Sequence, residues 1–99
     1  MSRLDREGII ASLTERLSAA SDPDGIADLV ASQGRIVVAG ASAEIGPAID
    51  RIRPLEGYRW LAINAADLFA ASPKTIGTKV GIMDPSGRVL KAADLPRKK

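Results

Sequence analysis

The sequence predicts an α/β protein: a small mixed sheet made of a βαβ unit, a helix and a β-hairpin, preceded by two N-terminal helices. Three observations carry this. Ile36-Val37-Val38-Ala39 is an unbroken apolar run closed by Gly40, the pattern of a strand covered on both faces. A second run, Tyr58–Ile63, follows roughly seventeen residues later, the usual span of a parallel crossover with its helix. Asp84-Pro85-Ser86-Gly87 has the Asp, Pro and Gly placement of a type I turn, and it divides two short apolar stretches.

The elements follow in order. Residues Arg3–Ala20 read as a helix, because Ile10, Leu13, Leu17 and Ala20 repeat at helical spacing beside Ile9, with charges opposite. Gly8 weakens it by about 1 kcal/mol relative to alanine. Its apolar stripe is expected on the protein's own core rather than on a partner helix. Ser21-Asp22-Pro23 then stops one helix and starts another. Asp22 is a cap and Pro23 a first-turn residue, with Ile26, Leu29 and Val30 on one face and Gly34 as the stop. The DPDG string is rich in acceptor oxygens but lacks the closing glutamate of a calcium loop.

After the central strand, a helix is predicted over Pro47–Arg53, with Ala48, Ile49 and Ile52 inward and Pro54 as its stop. Asn64 is expected to cap a short helix over Ala65–Ala71, with Asp67 at its third position. The hairpin pairs Thr78–Met83 with Arg88–Lys91 and puts Val80 and Ile82 on one face. Residues 93–99 form a basic tail ending in Arg97-Lys98-Lys99.

Ninety-nine residues make a single domain, 1–99, with residues 22–92 as its core. Apolar residues reach 45%, yet only Tyr58, Trp60 and Phe69 are aromatic. The interior is therefore aliphatic, and Trp60 is expected within it. Cysteine is absent, which removes disulfides, thiolate chemistry and cysteine-ligated metals. Histidine is absent too, and with it the commonest neutral-pH base and metal ligand. No metal or cofactor is expected. Residues 1–34 hold three Arg against six acids, so −3; the remainder holds eleven Lys or Arg against six acids, so +5. No basic stripe supplies the several phosphate contacts that nucleic-acid binding needs. No apolar run approaches the ~20 residues of a membrane span, and the start, MSRLDREG, lacks the order of a secretory signal. The expectation is a cytoplasmic protein with no nucleic-acid or membrane partner.

From residue 22 to 92 the chain resembles the thioredoxin-like family. DPDGIADLVASQGRIVVAGASAEIGPAI is similar to that family's first helix, buried strand and active-site turn. Ile45-Gly46-Pro47-Ala48 stands where the family has Cys-Gly-Pro-Cys, and Ile76-Gly77-Thr78 where it has Ile-Pro-Thr with a cis proline. VGIMDPSGRVLK resembles its hairpin. The resemblance implies a redox-inactive member, since both cysteines and the cis proline are replaced. It also implies a protein- or peptide-binding groove between Ile45, Gly46, Pro47, Ala48 and Ile76, Gly77, Thr78. Ile45 either lines that groove or plugs the space between strand and helix. Two other readings stay open: a structural subunit docked by the N-terminal helix, with homo-oligomers included, and a phosphate-binding turn. For the last, AGASAEIG resembles the glycine-rich turn of short-chain dehydrogenases, with Glu44 where a glycine is required.

Overall fold

A computed structural model describes residues 3–95; the basic tail expected at Arg97-Lys98-Lys99 lies outside them. Helix α1 (Arg6–Leu17) leads into β1 (Ala20–Ser21), β2 (Leu29–Ala31) and β3 (Gly34–Val38). Helix α2 (Ser42–Ile52) connects β3 to β4 (Arg59–Ala62). One 3-10 turn, Ala65–Asp67, runs into α3 (Leu68–Thr75), and β5 (Gly81–Met83) and β6 (Val89–Lys91) close the chain.

The six strands form one mixed sheet in sequential order, β1-β2-β3-β4-β5-β6. Strands β3, β4 and β5 are parallel, with Ile36 beside Trp60 and Trp60 beside Gly81. Strands β1, β2 and β6 are antiparallel to their neighbours. The α/β class, the buried strand at Ile36–Ala39, the parallel crossover and the terminal hairpin all match the sequence expectation.

Alternation along the parallel strands makes two cores. Val37, Ala39, Leu61, Ile63, Val80 and Ile82 pack with Ile45, Ala48, Ile49 and Ile52 of α2 and Ala71 of α3. Ile36, Val38, Trp60, Ala62 and Met83 pack with Ile9 and Leu13 of α1 on the opposite face. Helices α2 and α3 thus share one side of the sheet and α1 covers the other. Trp60 is core as expected, and its Nε1 donates to the Gln33 carbonyl at 2.9 Å.

Three local expectations are corrected. The second N-terminal helix does not form: residues 20–31 make β1, a loop and β2. A run as short as Ile26-Leu29-Val30 is ambiguous between helix and strand, and here the ladder to β3 decides, with Leu29 opposite Ile36. The capping chemistry is real but serves the loop, since the Asp22 carboxylate accepts from Asp24 N and Ala27 N. Gly34 is no helix stop. Its φ is +131°, and a Cβ there would lie 2.2 Å from the Tyr58 carbonyl oxygen, so glycine admits the entry of β4.

All three helices have bounds other than those expected. Helix α1 spans Arg6–Leu17 rather than Arg3–Ala20: Ser18 ends it at φ 53°, and Ala20 pairs in β1. Helix α2 begins at Ser42, five residues before Pro47, because Glu44 Oε1 accepts from Gly40 N at 2.9 Å and organises the first turn. Helix α3 continues through Pro73 to Thr75. Asn64 and Asp67 cap nothing with their side chains. They anchor the N-terminal strap instead, as described below.

Candidate functional site

The seven residues singled out from the sequence divide between core and surface. Ile45 and Ala48 point into the core, so the question left open for Ile45 resolves to a plug between strand and helix. Gly46 is half-buried, while Pro47, Ile76 and Gly77 are exposed and Thr78 is half-buried. Thr78 is used locally: its hydroxyl donates to the Thr75 carbonyl at 2.6 Å and accepts from Val80 N at 3.1 Å. Gly77 adopts φ +80° among trans peptides, with no cis bond in the described residues.

The carboxyl ends of the parallel strands are where open α/β sheets usually hold a ligand, at the point where strand order reverses. Here the order is sequential and both crossover helices lie on one side. The place is also covered by the chain itself. Arg3 makes a two-pronged ion pair with Asp67, at 2.6 and 3.0 Å, and donates to the Gly40 carbonyl at 3.0 Å. Asn64, buried at the end of β4, accepts from Leu4 N at 3.0 Å and donates to Leu4 O at 2.8 Å, as a strand partner would. A Cβ on Gly40 would lie 2.5 Å from Arg6 N. With Gly40 N–H already held by Glu44, the AGASAEIG turn has neither the open floor nor that donor for a phosphate.

Next to the strap lies a charged node. The Asp28 carboxylate, 6% exposed, accepts from Arg6, from Arg51 at 3.0 and 3.3 Å, and from Val38 N at 2.8 Å. Burial on its own would raise its pKa; the Arg51 and Val38 hydrogen bonds and the two arginine charges outweigh that and hold it low. An open hollow of about 340 Å³, lined by Arg6, Val38, Ala43, Glu44, Pro47, Ala48 and Arg51, adjoins this node. Both arginines are engaged by Asp28, which makes the node a tie between α1, β3 and α2. At the other end of the sheet, buried Arg59 has a comparable role. It donates to the Arg53 and Thr78 carbonyls at 2.7 and 2.6 Å, and burial lowers its pKa.

One surface is not accounted for by folding. On α3, Leu68 and Ala71 pack inward and Thr75 is buried. At 100° per residue the opposite face is Phe69 and Pro73, with Ile76 just past the helix end. Phe69 is 90% exposed, Ile76 is 72% exposed, and Pro73 is exposed between them. The chain has one phenylalanine, and burying such a side chain is worth ~1.5–3 kcal/mol. The fold leaves it in water.

A groove of about 200 Å³ runs between α3 and α2, lined by Gly46, Ile49, Asp50, Arg53 and Lys74; Lys74 stands about 140° round α3 from Phe69. The groove is below the ~300–1,000 Å³ of small-molecule sites, and it suits a single inserted side chain. Gly46 is in the interior of α2 at ~1 kcal/mol cost relative to alanine. No φ demand or steric conflict requires it, since a Cβ there would meet nothing within 4 Å. Pro47 and Pro73 both stand inside helices. A proline has no N–H to donate, so the Ala43 and Phe69 carbonyls lack their usual i+4 partners. Sequence reasoning reached Gly46, Pro47 and Ile76 through the resemblance and missed Phe69, Pro73, Arg53 and Lys74. The available signal was a lone phenylalanine preceding an in-helix proline.

Among the described residues no cluster of three His, Cys, Asp or Glu could hold a metal, and no helix is long and apolar enough to cross a membrane. Comparison with family models, curated proteins and solved structures finds no match for this chain.

Proposed function

We propose that this chain is a noncatalytic, redox-inactive binding or assembly module that docks a partner polypeptide on the outer face of α2 and α3. The observation that carries this is Phe69, 90% exposed in line with Pro73 and Ile76. Exposed apolar residues that line up on one face mark interaction surfaces far better than scattered ones do, and aromatic anchors dominate the energetics of such contacts. The reading stands on this surface and not on thioredoxin kinship, because Ile45 and Ala48, at the family's cysteine positions, are core here. Without a thiolate there is no thiol–disulfide exchange to perform.

Docking through the N-terminal helix is less well supported. The apolar side of α1, Ile9 and Leu13, is fully buried against the sheet. What α1 leaves exposed is mostly polar.

The test is co-purification of the tagged full chain from its source cells. A partner recovered in stoichiometric amount by the wild type and lost from Phe69→Ser, at unchanged melting temperature, supports the proposal. A partner retained by Phe69→Ser contradicts it.

A further inference from the structure

We infer that the carboxyl end of the sheet is a second polypeptide-binding site, independent of the Phe69 face. It takes an extended segment in which arginine precedes an apolar residue, and Arg3–Leu4 fills it in cis, in competition with such a segment from another protein. The carboxyl ends of parallel strands are the usual ligand position in open α/β sheets, and here that position holds a piece of main chain. Asn64 Oδ1 accepts from Leu4 N at 3.0 Å while its Nδ2 donates to Leu4 O at 2.8 Å. This pair of contacts reads backbone, as strand addition does. Asp67 and the Gly40 carbonyl together accept three hydrogen bonds from the Arg3 guanidinium. The two-pronged carboxylate contact fits a planar guanidinium fork and not a lysine ammonium. A Cβ on Gly8 would lie 3.3 Å from Leu4 Cβ and Cδ2, so glycine in the first turn of α1 leaves a shelf for the apolar side chain.

The receiving groups are buried and their occupant is not. Asn64 and Gly40 are buried, and the Asp67 side chain is 12% exposed. Arg3, Leu4 and Asp5 are all exposed and belong to no helix or strand. Among the described residues Asp67 pairs with no cation besides Arg3. Leaving buried polar atoms without partners is costly, so the groups under the strap favour a replacement with the same donors and acceptors. That requirement sets the chemistry of the competing segment. Helix α1 does not depend on the strap. Asp5 accepts from Gly8 N with its side chain and from Ile9 N with its carbonyl, and Ile9 and Leu13 hold the helix on the sheet. Residues 3 and 4 can therefore lift while the chain after Asp5 stays in place. Exposed segments with few apolar contacts are the first to open. A closed strap lowers the apparent affinity for a competitor in proportion to the fraction of sites that are open.

The test titrates a labelled peptide bearing Ser-Arg-Leu-Asp against the full chain and against its Arg3→Ala variant by fluorescence anisotropy. Arg3→Ala weakens the cis occupant and should bind the peptide at least tenfold tighter than the wild type does. Lysine in place of the peptide's arginine should cost at least tenfold, and so should Asp67→Asn added to Arg3→Ala. Phe69→Ser should change none of these affinities. A second measurement needs no variant: saturating peptide should speed amide exchange at Leu4 of the wild-type chain, because displacement frees the N–H that Asn64 holds. Equal affinity of wild type and Arg3→Ala, equal binding of the arginine and lysine peptides, or no saturable binding by Arg3→Ala would overturn the inference. Leu4 exchange unchanged by saturating peptide would overturn it too. Wild-type dimers that the peptide dissociates would contradict the cis occupancy, since Arg3 and Leu4 would then sit in a second copy.

Discussion

Replacing Asp28 by alanine tests how the N-terminal part of the chain is tied to the sheet. The carboxylate takes an N–H from β3 beyond the point where β2 ends, and it holds one arginine from α1 and one from α2. Its loss strands the Val38 N–H, which costs ~1–3 kcal/mol for a buried unsatisfied donor. Breaking a fully buried ion pair would add to ~3–5 kcal/mol. Arg6 and Arg51 are 39% and 42% exposed in their side chains, so they can turn to water, and the lower part of that range applies. The expected loss is about 2–3 kcal/mol, which for a domain of this size lowers Tm by roughly 10–20 °C. Urea unfolding followed through Trp60 reads it. Asp28→Asn, which keeps an acceptor for Val38, should lose less than Asp28→Ala.

The pH dependence has a definite sign. A carboxyl whose folded pKa is depressed stabilises above its unfolded pKa, near ~3.9, and loses that contribution as pH falls through the folded value. The gap between wild type and Asp28→Asn should therefore be full at pH 7 and close below about pH 4. A gap under ~0.5 kcal/mol at pH 7, or one that does not change with pH, would refute the assignment of Asp28 as a tie.

Other outcomes follow from single contacts. Gly46→Ala should stabilise by about 1 kcal/mol, since it restores helix propensity in open space; thermal melts read it. Gly81→Ala should destabilise by ~1–3 kcal/mol, because the added methyl lies 2.6 Å from the Trp60 ring and from Ala93 N; urea midpoints check it. Asn64→Ala should cost about 2 kcal/mol by releasing the Leu4 clamp, with faster amide exchange at Leu4 as its signature. Phe69→Ser should leave stability within ~0.5 kcal/mol in the same melts.

Legibility differed along the chain for physical reasons. Ile36–Ala39 was readable because a strand covered on both faces admits no polar residue. The hairpin was readable because Asp84-Pro85-Ser86-Gly87 encodes its own geometry, down to Gly87 N–H donating to the Asp84 carbonyl at 3.0 Å. Residues 20–31 were not, because Leu29 and Val30 satisfy either period and only pairing with β3 chooses between them. Asn64 and Asp67 looked like caps because caps and long-range clamps use the same side chains. Their partners, Leu4 and Arg3, are 60 and 64 residues away, beyond any local pattern. The α2 and α3 surface was half visible. Gly46, Pro47 and Ile76 stood out by resemblance, while the exposure of Phe69 depends on which face of α3 meets the sheet.

The central claim, that a partner polypeptide docks on Phe69, is most directly tested by a photo-crosslinking amino acid placed in turn at position 69 and at exposed Glu15 on α1, in source cells. The account predicts one discrete adduct from position 69 and none from position 15. Equal adducts from both positions, or none from position 69, would contradict it.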